Sequence, residues 1–186
     1  MALFVKEGGL GLLYPQLPPK RTGDITAIWA GGLSFGSCAI QIAIAAGLDV
    51  IATASERNHE YCKIIGAKWV FDYRSKTIID DMARTLDGRM CVGVLDAWSR
   101  DSFPGKRAEV AMKVSGRSFR QTVMPSVLLP KEIPKELSLG YVSGVDDHVV
   151  SAVWRDWMPR ALATGALKGK PELCPESQIW PNESAA

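Results

Sequence analysis

Apolar residues in this chain gather in short runs, each followed by a polar or glycine-bearing break and then a longer apolar or amphipathic stretch. Ile25 to Trp29 predicts a first strand, and residues 35–46, with an almost wholly apolar surface, predict a buried helix ended by Gly47 as its C-terminal cap. Val50-Ile51-Ala52-Thr53-Ala54 is continuous enough to suit a parallel strand buried on both faces. A helix over 56–65 follows, closed by Gly66, and then a strand over Trp69 to Asp72. Residues 77–86 are amphipathic, with Ile78, Ile79, Met82 and Leu86 on one side. The spacing then predicts a strand from Cys91 to Asp96, a helix over 109–114, strands over 118–123 and 137–142, and a helix over 147–162. This alternation predicts an α/β chain, a Rossmann-type doubly wound parallel sheet with helices on both faces.

Gly11 to Lys20 holds Pro15, Pro18 and Pro19 and reads as an irregular connector. At the other end, Lys168-Gly169-Lys170-Pro171 and the polar, proline-broken residues after it read as a poorly packed tail. The expected organisation is therefore a leading segment over 1–22, one nucleotide-binding domain over 23–165, and an irregular, disordered tail over 166–186.

The first strand-to-helix turn carries the chemistry. Ile28-Trp29-Ala30-Gly31-Gly32-Leu33-Ser34-Phe35-Gly36-Ser37 runs into Cys38-Ala39-Ile40-Gln41-Ile42-Ala43. Strand, glycine-rich turn and apolar helix open a dinucleotide-binding βαβ unit. Glycines let the backbone turn tightly and approach a pyrophosphate, to which the helix N-terminus offers unpaired N–H groups and partial positive charge. Leu33 stands where the usual spacing places a glycine.

Composition narrows the partners. The chain has 186 residues and a net charge of +2, which gives no reason to invoke nucleic acid or a membrane surface. No apolar run is long enough to span a bilayer, and the N-terminus lacks a signal peptide's layout, so a cytoplasmic protein is the default. Cys38, Cys62, Cys91 and Cys174 form no CxxC pair, and His59 and His148 lie far apart, so no metal is expected.

The end of the second strand chooses the cofactor. NAD sites commonly place an acid there for the ribose hydroxyls, whereas NADP sites supply polar or basic groups for the extra phosphate. Here the strand ends Thr53-Ala54-Ser55, and Arg57, Asn58 and Lys63 follow. Ser55 and Asn58 can donate hydrogen bonds, and Arg57 can clamp a phosphate. This chemistry favours NADP(H), provided that Glu56 points away. The same residues also read as an N-cap and a solvated helical turn, and one residue can serve both ends. Tyr73 either flanks the adenine side or simply packs. Asp96 reads mainly as a turn residue, and Trp98, Trp154 and Trp157 as packing residues.

With these residues in view, residues 25–162 resemble the cofactor-binding domain of the medium-chain dehydrogenase/reductase superfamily, and within it the fungal trans-acting enoyl reductases. The resemblance runs through Ile28-Trp29-Ala30-Gly31, Ser37-Cys38-Ala39-Ile40-Gln41, Val50-Ile51-Ala52-Thr53-Ala54-Ser55 and Arg57-Asn58-His59-Glu60-Tyr61. It continues through Gly66-Ala67-Lys68, Val70-Phe71-Asp72-Tyr73-Arg74 and Leu95-Asp96-Ala97.

The resemblance implies an NADPH-dependent, zinc-free oxidoreductase of polyketide biosynthesis. Hydride would pass from the nicotinamide to the β-carbon of an enoyl thioester, a small-molecule acyl substrate on a polyketide synthase's acyl carrier protein. It implies cofactor contacts at Gly31, Gly32, Leu33, Ser34, Phe35 and Gly36, with Ser55, Arg57 and Asn58 at the 2′-phosphate and Tyr73 beside it. It places Tyr141, Val142, Ser143, Gly144 and Val145 in the acyl pocket and identifies no proton donor. Where the family carries two glycines and a run of serines, this turn carries Ala30, Leu33 and Phe35.

Family members are nearly twice as long, with a GroES-like domain closing over the nicotinamide. The expectation is thus a truncated chain whose first 22 residues are the remnant of an inter-domain helix and connector. It is an enoyl reductase, a catalytically inactive NADP-binding module or synthase-docking partner, or a degenerate gene product with neither function. An apolar face near residues 1–13 and 154–158 would then be left exposed.

Overall fold

The structure is a computed structural model, and it describes residues 3–4, 11–86, 88–89, 91–98, 113, 119–121 and 147–169. Among the described residues, five strands form one sheet in the order β3-β2-β1-β4-β5, and every pairing is parallel. They are β1 (Ile25–Trp29), β2 (Asp49–Ala54), β3 (Trp69–Asp72), β4 (Cys91–Asp96) and β5 (Phe119–Gln121). The order reverses between β1 and β4, which makes the carboxyl ends of these two strands the topological switch point where such sheets bind ligands.

Helices cover both faces. α1 (Ser34–Ala45) and α2 (His59–Ile64, entered through a 3₁₀ turn at Glu56–Asn58) lie on one face with the C-terminal helical run, and α3 (Ile78–Leu86) lies on the other. On the first face, Ile40 and Ala43 of α1, Cys62 of α2 and Val153 and Trp157 of the last run bury Ile28, Val50, Ala52 and Leu95. On the second, Ile78, Met82 and Leu86 of α3 cover Ile25, Ala27, Trp29, Ile51 and Val94. The alternation along β1 and β2 therefore sends successive side chains into separate cores, as a sheet covered on both sides demands. In β4 the register slips by one: Ile25 lies opposite Cys91, but Thr26 lies opposite Gly93. This bulge turns Cys91 and Val94, three residues apart, to the same face.

Gly47 and Gly66 adopt φ of +93° and +105°, the left-handed geometry expected of residues that close α1 and α2. The last helical run departs from a plain α-helix. α4 (Asp147–Val149) passes into a π-helical stretch, Val150–Trp157, before α5 (Met158–Ala163). Pro159 lies in the first turn of α5. Its ring has no N–H to give and crowds the carbonyl four residues back, so widening the preceding turns relieves the conflict.

The flanking segments join the core where they are described. Leu3, Phe4 and Leu12 are buried in the first core, and Gln16 donates its amide to the Ala45 carbonyl at 2.8 Å. Leu167 is buried in the same core. Lys168 is held at both backbone groups by Gln41: its amide donates to Oε1 at 2.7 Å, and its carbonyl accepts from Nε2 at 2.9 Å. The chain is thus tied down as far as Lys168, although it is irregular there. Residues 170–186 lie outside the described residues, as does the expected strand over 137–142. Of the expected helix over 109–114, Lys113 alone is described; it is helical and pairs with Asp80.

Trp157 packs as expected, but Trp98 and Trp154 are 43% and 49% exposed. Leu13, Tyr14 and Leu162 also stand exposed. Among the described residues, no helix is long and apolar enough to cross a membrane.

Candidate functional site

The turn from β1 to α1 is fixed by three sets of contacts. Thr53 of β2 takes the Ala30 amide on its hydroxyl at 3.0 Å and the Gly31 amide on its carbonyl at 2.8 Å. The Leu33 amide donates back to the Ala30 carbonyl at 3.1 Å. Ala30 itself sits at φ +61°, the left-handed region that a glycine enters without strain. Close packing accounts for the glycines. A Cβ on Gly36 would overlap the Ala30 carbonyl, one on Gly31 would meet Ile40 and Ala52 at 2.8 and 3.0 Å, and one on Gly32 would meet Asn58 at 2.9 Å.

Leu33 occupies the N-cap position of α1 in an extended conformation, and its side chain makes no capping hydrogen bond. The amides of Ser34, Phe35 and Gly36 belong to the first turn, which has no intrahelical acceptors to offer them. Ser37 begins the internal bonding, donating to the Leu33 carbonyl at 2.7 Å. Leu33 is half-buried, while Ser34 and Phe35 are exposed, so the Phe35 ring faces away from the packed side of the turn. This end of α1 offers backbone donors and no carboxylate in its first turn, a donor set that fits a diphosphate.

Beside it, the tip of β2 brings Ser55 and Asn58 together. Asn58 Nδ2 donates to Ser55 Oγ at 3.1 Å, and the Asn58 side chain lies against Gly32. Ser55 stands at the N-cap of the 3₁₀ turn without using its hydroxyl as a cap, so the capping role allowed by the sequence is not the one the side chain takes. Arg57 is exposed and has no acceptor among the described residues. Hydroxyl, amide and guanidinium groups thus gather beside the N-terminus of α1, donors of the kind that bind phosphate.

Tyr73 follows β3 and is 38% exposed, with the Arg74 guanidinium 5.6 Å from its ring centre. Arg74 in turn grips Asp72: Nε lies 3.0 and 3.2 Å from the two carboxylate oxygens, and Nη2 lies 2.7 Å from Oδ2. These bonds hold the Asp72 carboxyl down at about 2, below its ordinary 3.8. At the switch point, the buried Asp96 accepts the Trp98 amide on Oδ1 at 3.0 Å, the turn role expected for it.

The structure thus brings Gly31, Gly32, Leu33, Ser34, Phe35, Gly36, Ser55 and Asn58 to one edge of the sheet, with Arg57 in the 3₁₀ turn and Tyr73 just past β3 beside them. Tyr141, Val142, Ser143, Gly144 and Val145 lie outside the described residues. Sequence reasoning missed Thr53, whose hydroxyl positions the turn, and Arg74, which grips Asp72. Among the described residues, no group of three or more His, Cys, Asp or Glu side chains is placed to hold a metal ion. Burial raises the Cys91 thiol to about 11 and raises that of Cys38, so neither is a ready thiolate.

No family model matches the chain. Curated relatives do. The trans-enoyl reductase himH of Aspergillus japonicus is 37% identical over 177 residues, which cover 92% of this chain and 49% of the relative. The dehydrogenase pigH of Monascus ruber is 42% identical over an alignment covering 90% of this chain and 52% of the relative. In sequence the chain is similar to fungal proteins named trans-enoyl reductases and dehydrogenases. It spans about half the length of the curated relatives it matches. Among solved structures, the CurK enoyl reductase superimposes with a TM-score of 0.63 at 19% identity, over 92% of this chain and 50% of that one. An NAD-dependent alcohol dehydrogenase superimposes with a TM-score of 0.53 at 23% identity, over 80% and 43%. Both likenesses concern the fold.

Proposed function

We propose that this chain is the NADP(H)-binding portion of an enoyl reductase of fungal secondary metabolism, acting on an enoyl thioester carried by a polyketide synthase's acyl carrier protein. The observation that carries this reading is the turn over 30–36, pinned to Thr53 at the switch-point edge, in a chain 37% identical to a trans-enoyl reductase. When bound, the nicotinamide supplies a hydride, for which the β-carbon of the enoyl thioester is the acceptor.

The protein's own part is to bind and to orient. The amides of Ser34, Phe35 and Gly36, at the positive end of α1, hold the pyrophosphate, with Gly31, Gly32 and Leu33 shaping the approach. Ser55, Arg57 and Asn58 take the 2′-phosphate, Arg57 by a charge-assisted pair, and Tyr73 lines the adenine side. Tyr141, Val142, Ser143, Gly144 and Val145 line the acyl pocket by their place in the family pattern. The three described cysteines are all free, which suits a reducing cytoplasm.

The test has two steps. Fluorescence quenching or thermal shift compares NADPH with NADH, and an NADPH-oxidation assay then uses a crotonyl thioester. Saturable binding that prefers NADPH, followed by oxidation, supports the reading. Binding without oxidation assigns the chain the role of a non-catalytic module or synthase-docking partner. No binding at millimolar NADPH removes both.

A further inference from the structure

Glu56 is the difficulty in the phosphate reading. It stands between Ser55 and Arg57, two of the residues assigned to the 2′-phosphate, and a carboxylate there repels a dianion. The register of the sheet supplies an answer from the neighbouring strand. Thr53 lies opposite Phe71, and Ala54 lies opposite Asp72. The segments that leave these strands therefore run out side by side, Ser55-Glu56-Arg57 from β2 and Tyr73-Arg74 from β3.

Arg74 is fixed in that position. Asp72 binds its guanidinium through Nε and Nη2, and also accepts its backbone amide at 2.8 Å. The guanidinium is laid against the Tyr73 ring. Its side chain remains 60% exposed, open on the face away from Asp72. The nearby Glu56 charge adds to the stabilisation of its cation, behind the larger effect of Asp72.

We propose that Arg74 is a specificity-determining residue for the phosphorylated dinucleotide: gripped by Asp72 against Tyr73, it offsets the charge of Glu56 and so leaves Arg57 available to the 2′-phosphate. The inference rests on the assignment of Ser55, Arg57 and Asn58 to that phosphate. Among the carboxylates and guanidinium groups of residues 55–57 and 72–74, Glu56 and Asp72 stand against Arg57 and Arg74, a balance that becomes one excess negative charge without Arg74. An excess of that sign disfavours NADPH and leaves NADH, which lacks the phosphate, largely indifferent.

The experiment titrates the full chain with NADPH, NADH, 2′,5′-ADP and 5′-AMP. Arg74→Gln is expected to weaken NADPH and 2′,5′-ADP about tenfold while leaving NADH and 5′-AMP within about twofold. Adding Glu56→Gln in the same chain is expected to restore NADPH to within about threefold of the wild type, since the charge that Arg74 offsets is then gone. Arg74→Lys, which keeps the charge and loses the fork, retains most of the preference. Equal loss for all four ligands, or no rescue by Glu56→Gln, overturns the inference. If the wild type prefers NADPH and Arg57→Ala abolishes that preference, yet Arg74→Gln leaves it intact, the Arg74 role alone fails. If the wild type binds NADPH and NADH alike, the phosphate assignment fails and this inference falls with it.

Discussion

Thr53 holds Ala30 from the neighbouring strand: its buried hydroxyl accepts the Ala30 amide at 3.0 Å, just before its carbonyl takes the amide of Gly31. One residue of β2 thus sets where the chain leaves β1, and with it the direction in which α1 presents its first amides. Thr53→Val keeps the shape and removes the acceptor. An amide orphaned at such a site costs about 1–3 kcal/mol, so denaturant unfolding should show a loss of that size, with weaker dinucleotide binding. Thr53→Ser should retain both. A valine variant with wild-type midpoint and affinity would show that the hydroxyl is dispensable.

Ala30 carries strain at the same turn. Its φ of +61° costs an L-residue about 1–2 kcal/mol relative to glycine. Glycine returns part of this through a freer unfolded chain, about 0.4–1 kcal/mol. The methyl group also packs at the edge of the second core, so its loss subtracts a little more. Ala30→Gly should therefore stabilise by about 0.5 kcal/mol, read as a raised denaturation midpoint. A lowered midpoint would mean that the methyl contacts outweigh the strain.

The first, third and fourth strands were legible to the residue because an apolar run flanked by turn chemistry marks its own ends. Gly47 and Gly66 were legible because a helix ending in left-handed geometry selects glycine. What stayed hidden depends on which strands become neighbours. The Thr53 hydroxyl, Asn58 against Gly32, and the segment of Arg74 beside that of Glu56 all follow from β2 lying between β1 and β3. A local pattern carries no such information. The exposure of Trp98 and Trp154 was hidden for a related reason: residue type favours burial, but the position at a strand end or on an outer helix face decides it. The π-helical stretch had a visible cause in Pro159, although a proline alone does not say how the turns before it respond.

Gln41 tests whether the segment after α5 belongs to the fold. Its amide makes both hydrogen bonds of the Lys168 backbone and also donates to the Ser37 carbonyl at 3.2 Å. Gln41→Ala strands a donor and an acceptor and should cost about 1–3 kcal/mol. Gln41→Glu can still accept the Lys168 amide but cannot donate to its carbonyl. Hydrogen exchange at the Lys168 amide should therefore be fast in the alanine variant and partly protected in the glutamate variant. Equal protection in all three proteins would show that the segment is held by Leu167 alone.

Arg57 should separate binding from stability. It is exposed and engages no acceptor among the described residues, so Arg57→Ala should change unfolding free energy by less than about 0.5 kcal/mol. A charge-assisted bond to phosphate is worth about 1.5–3 kcal/mol, so NADPH affinity should fall about 10- to 100-fold while NADH affinity holds. Equal loss for the two nucleotides would refute the 2′-phosphate assignment.

The Asp72–Arg74 pair has a pH signature whose sign is fixed. The Asp72 carboxyl titrates at about 2 in the folded chain, against an ordinary 3.8, because Arg74 donates hydrogen bonds to its charged form. A carboxyl depressed in this way stabilises the fold above its unfolded value and loses that contribution as pH falls through the folded one. The stability difference between wild type and Asp72→Asn should be constant above about pH 5, shrink between about pH 4 and 2, and vanish below. Denaturant melts at stepped pH would show it, and a difference that is flat across this range would mean that the pair contributes nothing as an ion pair. Between about pH 5 and 8 the grip on Arg74 stays whole, so the Asp72–Arg74 pair itself should add no pH dependence to NADPH preference in that range. The check compares wild type with Asp72→Asn: a pH profile of preference that differs between the two within this range would show that the carboxyl titrates there.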